Sequence, residues 1–174
     1  FPPAMRDLMT LTLKGILSNE DKDIIDERIL DFKKSMKKED IQNIALPTGV
    51  RGIKKYTTRN KSGIFTETKK STPVHVKAVI KYNDLLKHFD ENTIEPIKNQ
   101  EKIKWVYLKQ NPLGIDALAF KGYDDPPKIM EFIKNNVDCE KLFKGALEKK
   151  IKMFYEALNW SLPLNKENTI EKFF

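Results

Sequence analysis

The stretch "KKSTPVHVKAVIKYN", residues 69–83, places apolar side chains at alternate positions. The apolar residues of one parity are Val74, Val76, Ala78, Ile80 and Tyr82. The opposite parity carries His75, Lys77, Lys81 and Asn83, with Val79 among them. Alternation with a period of two is typical of a strand with one buried face, so residues 74–82 are predicted to form a strand. Lysine is a poor strand former, so its side of this strand either keeps a sheet edge soluble or meets an anion.

Two further strands are predicted on the C-terminal side of this stretch. In "KIKWVYLK", residues 102–109, one parity is apolar and the other carries Lys102 and Lys104 followed by Val106 and Leu108, and "IDALAF", residues 115–120, is a short apolar run. The turn sequence "NPLG", residues 111–114, separates them. Strand runs separated by turn residues predict a small antiparallel sheet.

Helical periodicity dominates both ends of the chain. Apolar side chains at three- and four-residue spacing predict four helices, at residues 3–17, 22–38, 127–136 and 140–159. We therefore expect an α+β fold with a helical base, formed by the N- and C-terminal segments, and a small antiparallel β-rich basic tip. The predicted boundaries are a helical pair at 1–45, the tip at 46–125 and C-terminal helices at 126–160.

Positive charge is concentrated in the middle of the chain. The net charge is +7, and residues 41–111 hold 14 Lys and Arg against 6 Asp and Glu, whereas the two flanks are close to balance. An even, solubilising surface would mix the two signs more thoroughly. The concentration therefore favours a polyanion as partner.

Several classes of protein are disfavoured by what the sequence lacks. No apolar run approaches the length of a membrane span, and no signal peptide or glycine-rich phosphate loop is visible. Cys139 is the single cysteine, which excludes an internal disulfide and fits a reducing cytoplasm. His75 could act as a general base, but no nucleophile can be paired with it. A binding module is therefore favoured over an enzyme.

The acidic pair in "GYDDPP", residues 122–127, is the most tempting candidate for a metal site. Adjacent carboxylates on an extended chain point in opposite directions, whereas a catalytic metal pair needs acids that converge from separate elements. Because the pair precedes the predicted helix at Pro127, we expect Asp124 or Asp125 to cap that helix instead. No metal ligand is assigned.

Three segments, taken in order, resemble a known family. "TPVHVKAVIKYN", "KIKWVYLKQNPLGIDALAF" and "LFKGALEKKIKMFYEAL", followed by a terminal "TIEKFF", are similar to the C-terminal thumb region of replicative family B DNA polymerases of large tailed bacteriophages. The N-terminal helical pair also matches, since the thumb begins there with long helices. The more specific motifs are P-x-H-x-K followed by Y-N, and the N-P-x-G turn before a short apolar strand.

This resemblance implies a part of a DNA-directed DNA polymerase that is inactive alone. In the family the polymerase carboxylates and their Mg²⁺ belong to the palm, and the exonuclease acids belong to an N-terminal domain. Neither signature is present here, so no cofactor is expected in this chain. Its implied partners are primer–template duplex DNA and the remaining polymerase domains, and its implied location is the cytoplasm of an infected bacterial host.

The resemblance also implies which residues meet DNA. Thumb contacts go mainly to phosphates and the minor groove, which suits an enzyme that copies any sequence. The expected DNA-binding residues are Lys70, His75, Lys77, Lys81, Lys102, Lys144 and Lys149. The basic residues of the loop at 51–61 could equally touch phosphate or be solvated. Trp105, Tyr107, Phe120 and Trp160 could stack on bases, but core packing is favoured for a duplex binder.

The C-terminal segment, residues 169–174, carries three large apolar residues. Ile170, Phe173 and Phe174 have the spacing that one helical turn brings onto one face. Their position resembles the sliding-clamp-binding peptide that ends such polymerases, so clamp docking is expected. The alternative is a segment that folds back on its own domain.

Three alternatives remain open from the sequence. The start "FPPAMRD" lacks an initiator Met, which leads us to expect a piece of a longer polypeptide. A standalone nucleic-acid-binding protein and the C-terminal subunit of a split polymerase would share the same basic middle segment. A small hydrolase that depends on His75 is the third alternative.

Overall fold

The computed structural model describes residues 1–59 and 66–163. The chain divides into two compact units: Phe1–Ile44 joins the chain from Cys139 onward, and Ala45–Asp138 forms the second unit. We call these the helical unit and the sheet unit. Helices and a small antiparallel sheet occur together, which confirms the predicted α+β class.

In chain order the elements are α1 (Pro3–Leu17), α2 (Lys22–Ser35), a 3-10 turn (Met36–Lys38), α3 (Ile41–Ile44), β1 (Leu46–Gly49), α4 (Ile53–Tyr56), β2 (Thr57–Arg59), β3 (Thr66–Thr68), α5 (Val74–His88), β4 (Lys102–Tyr107), β5 (Ala117–Phe120), α6 (Pro127–Asn136), α7 (Cys139–Phe143), a π-helical segment (Lys144–Glu148) and α8 (Lys149–Ala157). The four helices predicted from periodicity are all present, although the last is divided by its π-helical segment.

The helical unit packs its elements through the apolar stripes that the sequence predicted. Met5 and Leu8 of α1 and Ile25 and Ile29 of α2 are buried, and α1 contacts α2 and α3. A bidentate pair holds the connection, because Arg28 donates from Nη1 and Nη2 to the two carboxylate oxygens of Glu20, at 3.0 and 2.8 Å. Hydrogen bonding to this guanidinium lowers the pKa of Glu20.

Tyr155 joins α8 to α2 within the helical unit. Its hydroxyl donates to Asp26 Oδ1 at 2.6 Å, and Lys22 forms an ion pair with the same carboxylate. Burial, followed by the bond to Asp26, raises the pKa of the Tyr155 hydroxyl. The hydroxyl of this fully buried tyrosine is therefore hydrogen-bonded, as buried polar groups generally are.

The sheet unit is built from a three-stranded antiparallel sheet and α5. The strand order is β1-β4-β5, with Trp105 opposite both Leu46 and Ala119. The pairing of β2 with β3 forms a separate two-stranded ribbon. Helix α5 packs against β5, whose four residues are all buried. The predicted strands at 102–109 and 115–120 are thus confirmed, with slightly shorter bounds.

The predicted strand over residues 74–82 is wrong, because this stretch forms the first half of α5. Its buried residues are Val76, Ala78, Val79, Ile80, Tyr82, Leu85 and Leu86. The helix contacts α4, β3, β4 and β5, so more than one side of it is covered. Because more than one side of α5 is covered, the apolar residues at 76, 78, 80 and 82 can all be buried although they point in different directions. Their spacing in the sequence therefore resembles the two-residue period of a strand.

The expected cap at Asp124 or Asp125 is also wrong. Helix α6 follows Pro126 and receives no side-chain cap. Instead, Asp125 accepts hydrogen bonds from the backbone N–H groups of Lys121 and Gly122, at 2.8 and 2.7 Å, and from the Tyr82 hydroxyl at 2.9 Å. The carboxylate therefore closes its own loop and anchors α5. Burial and the charge of Asp125 raise the pKa of Tyr82.

The turn between β4 and β5 is organised by one side chain. The amide of Asn111 donates to the carbonyls of Lys109 and Ile115, at 2.8 and 2.7 Å, and its oxygen accepts from the N–H of Leu113 at 3.1 Å. Gly114 has φ +62, the left-handed conformation that glycine adopts without steric cost. The N-P-x-G sequence thus has a direct structural role.

Within the described ranges, no helix is both long and apolar enough to cross a membrane.

Candidate nucleic-acid interface

Lys77 and Lys81 both lie on α5. They are one helical turn apart and therefore share a face, and both are half-buried. The backbone N–H of Lys77 donates to the carbonyl of Pro73 at 3.0 Å, which is a hydrogen bond of the first helical turn. The structure therefore places these two lysines together on a helix instead of a strand.

His75 does not share that face. Two residues along a helix correspond to roughly 160° of rotation, so the helix separates His75 from Lys77, whereas a strand would have kept them together. His75 is half-buried, and burial lowers the pKa of its imidazole. A largely neutral imidazole can donate one hydrogen bond but contributes little charge near pH 7. His75 is consequently a weaker candidate for phosphate binding than the two lysines.

Lys102 opens β4 at one end of the three-stranded sheet, where it is exposed and opposite Gly49. The backbone beyond β1 is tied to the same end. Val50 donates to the carbonyl of Glu101 at 3.0 Å, and the N–H of Ile53 donates to Asn99 Oδ1 at 2.9 Å. These bonds bring the 50–53 segment beside the start of β4.

The same hydrogen bonds bring together basic residues that the sequence could not assign. Arg51 in the turn and Lys54 and Lys55 in α4 are exposed, as is Lys102. We call Arg51, Lys54, Lys55 and Lys102 the sheet-end cluster. Gly52 has φ +76, which allows the sharp turn into α4. The sequence signal was the turn "TGVRG" before "IKK", but its spatial partner lies some fifty positions away and could not be identified.

The remaining basic candidates are placed separately. Lys70 is exposed in the turn before α5, where Thr72 donates its N–H to the carbonyl of Lys69 at 2.9 Å. Lys144 and Lys149 are exposed in the helical unit, in the π-helical segment and at the start of α8. The seven expected contacts therefore divide between the units: Lys70, His75, Lys77, Lys81 and Lys102 belong to the sheet unit.

The aromatic residues considered as stacking platforms are mostly engaged in the fold. Phe120 is fully buried. Trp105 and Tyr107 are half-buried and meet edge to face, with ring centroids 4.9 Å apart. Trp160 stands edge to face against Tyr155 at 5.4 Å. These contacts agree with packing roles.

The helical unit carries a groove of a different character. It measures about 690 Å³ and lies along α2 and α7. The charged residues that line it are Asp23, Asp26, Glu27, Asp31, Lys33, Lys34, Lys37 and Glu140. Carboxylates outnumber lysines there, so this groove does not suit a polyanion. Across residues 1–59 and 66–163, no three His, Cys, Asp or Glu side chains converge in a way that could hold a metal ion.

Ile170, Phe173 and Phe174 lie outside the described residues, and so do residues 60–61 of the basic loop.

No protein-family model matches the chain, and no curated protein matches it either.

Proposed function

We propose that this chain is the thumb region of a phage-type, family B DNA-directed DNA polymerase, which grips primer–template duplex DNA through phosphate and minor-groove contacts. The proposal is supported by the residue motifs at 72–83, 102–120 and 142–158. The site residues are the α5 lysines, Lys77 and Lys81, and the sheet-end cluster. Catalysis and its Mg²⁺ would belong to the palm of the complete enzyme, in the cytoplasm of an infected bacterium.

The observation that carries the proposal is the exposed positive charge of the sheet unit. Residues 45–138 contain 17 Lys and Arg against 11 Asp and Glu, whereas the rest of the chain is nearly balanced. Four cations of this unit project from backbone that hydrogen bonds hold at one sheet end. Cations on a rigid support suit a regularly spaced row of phosphates better than cations on a loose loop.

Phosphate contacts predict binding without sequence preference and with strong salt dependence. Each neutralised phosphate releases counterions, so log K should fall against log salt with a slope of about −0.9 per contact. Four engaged lysines would give a slope of about −3.6. In the complete enzyme this grip would slow dissociation of the primer–template, which is the basis of processivity in DNA replication.

The proposal is tested by measuring the affinity of the full chain for a duplex of mixed sequence over a salt series. We expect Lys77→Glu combined with Lys102→Glu to weaken binding at low salt by about tenfold or more and to flatten the slope by about two. The matched control is Lys134→Glu, an exposed lysine of α6 in the same unit. Circular dichroism confirms that each variant keeps its helices.

Two outcomes of this experiment would contradict the proposal. If the double variant keeps the parent slope, these lysines do not meet phosphate. If Lys134→Glu weakens binding as much as the double variant, the duplex responds to net charge alone and the assigned surface has no special role.

We also propose that the segment 169–174 tethers the polymerase to a sliding clamp. The support is the spacing of Ile170, Phe173 and Phe174 at i, i+3 and i+4, after a polar stretch. Short apolar anchors with this spacing are a common way for a peptide to enter a hydrophobic groove. The clamp would supply that groove, and the polar stretch would act as a linker.

A further inference from the structure

Helix α8 and the residue that follows it carry an apolar stripe that is partly exposed. Met153, Phe154 and Leu158 are 68%, 37% and 38% exposed. Together with Lys150 and Ala157 they occupy positions i, i+3, i+4, i+7 and i+8, which form one continuous face of a helix. We call these five residues the α8 stripe. An exposed apolar face of this kind is typical of a docking surface.

The α8 stripe is distinct from the side of the helix that supports the core. Leu147, Ile151 and Tyr155 are fully buried and follow one another at four-residue spacing. The stripe lies beside this row, so α8 is apolar on two adjoining sides. Phe1 extends it, because Lys150 Nζ stands 3.8 Å from the centre of the Phe1 ring.

The chain reverses direction directly after the stripe. Asn159 has φ +55, and the N–H of Trp160 donates to the carbonyl of Tyr155 at 2.7 Å. This is the hydrogen bond that closes a helix and turns the chain back upon it. The contact of Trp160 with the Tyr155 ring holds the chain beside the last turn of α8. The residues that follow therefore leave from a point close to the stripe.

We propose that the α8 stripe is a docking surface for the chain's own C-terminal segment, with Ile170, Phe173 and Phe174 as the residues that cover it. The distance is within reach. Ile170 lies seven positions after Pro163, so the chain between them can span about 23 Å, whereas Lys150–Leu158 is about 12 Å long. A tethered partner also has a high effective concentration, so a small apolar contact suffices.

The charges beside the stripe suit this occupant. Lys149 is exposed one helical turn before Met153, and the segment carries Glu171 between Ile170 and Phe173. A carboxylate beside a lysine adds a small favourable contribution at an exposed site.

This docking gives the segment two alternative positions, a consequence that rests on the proposed clamp function. The same three apolar residues cannot cover the α8 stripe and fill a groove on a clamp at once. The stripe would hold them when no clamp is present, and clamp binding would have to displace them. Docking on α8 would then lower the apparent affinity for the clamp.

The test uses the full chain without DNA or clamp, so a failure of the polymerase proposal would not affect it. Hydrogen peroxide oxidises accessible methionine, and mass spectrometry follows Met153, with half-buried Met130 as an internal reference. If the segment covers the stripe, Phe173→Ser combined with Phe174→Ser should speed Met153 oxidation several-fold and leave Met130 unchanged. Asn165→Ser combined with Asn168→Ser is the matched control for substitution in the same segment.

Two results would overturn the docking proposal. One is equal Met153 oxidation in the parent chain and in the double Phe variant. The other is an equal increase in the asparagine control, which would show that the apolar residues are not the contact. A change confined to the double Phe variant supports docking at the α8 stripe.

Discussion

One carboxylate connects a loop to a buried helix in the sheet unit. Asp125 accepts two backbone N–H groups of its own loop and the hydroxyl of Tyr82, which is fully buried in α5. The acidic pair in "GYDDPP" was predicted to cap the following helix, and it does not. The bond to Tyr82 spans 43 positions of sequence, which no local pattern could reveal.

This connection predicts unequal costs for its two partners. Tyr82→Phe removes one hydrogen bond and should lower the free energy of unfolding by about 1 kcal/mol. Asp125→Asn should cost more, about 1.5–3 kcal/mol, because an amide has one acceptor and turns a donor toward one of the two backbone N–H groups. Urea unfolding at neutral pH measures both.

Asp124→Asn serves as the control for Asp125→Asn. Asp124 is exposed and has φ +50, a conformation that asparagine also tolerates. We therefore expect it to leave stability nearly unchanged. An equal effect of the two substitutions would mean that loss of negative charge, and not the hydrogen-bond network, sets stability here.

At the scale of elements, α5 is the informative case. Residues 74–82 satisfy a strand pattern, and only the continuation through Leu85 and Leu86 shows the helical period. Nine residues are too few to separate the two periods when most of a helix is buried. The strands β4 and β5 were predicted correctly, because the turn at 111–114 separates a run rich in β-branched and aromatic residues from a short apolar run.

Because Lys81 lies in a helix, two substitutions at this position should differ in their free energy of unfolding. In a helix, Lys81→Ala should be more stable than Lys81→Thr by about 0.5 kcal/mol, because a β-branched side chain loses rotamer freedom. In a strand the order would be reversed. Urea midpoints of the two variants decide between these outcomes.

Lys104 in β4 provides the matched comparison. It is half-buried like Lys81, but it lies on the central strand of the sheet. There we expect Lys104→Thr to be the more stable variant. The same order at both positions would contradict the assignment of one helix and one strand.

At the scale of the whole molecule, the chain is organised as two units that its sequence order interleaves. The helical unit takes both ends of the chain, and the sheet unit takes residues 45–138. Helix α6 belongs to the sheet unit, although its periodicity alone grouped it with the C-terminal helices. The positive excess follows the sheet unit, so the proposed grip and the proposed tether belong to different parts of the chain.

This separation predicts independent loss of the two binding functions. Removing Thr169–Phe174 should abolish association with a cognate sliding clamp and leave duplex affinity and its salt slope unchanged. Surface plasmon resonance with immobilised clamp, and a parallel duplex titration, measure the two. Clamp binding that survives the truncation would refute the tether, and a changed duplex slope would show that the segment contributes to the grip.

The amino-acid sequence by itself determined the α+β class, the terminal helices, the strands β4 and β5 and the concentration of positive charge in the middle of the chain. These features depend on local periodicity, turn residues and composition. Only the tertiary structure decided that residues 74–82 are helical, that Asp125 holds Tyr82, and that Arg51 and Lys54 join Lys102 at one end of the sheet. Each of these depends on contacts between residues far apart in sequence, and a periodic pattern carries no information about which distant neighbour covers it.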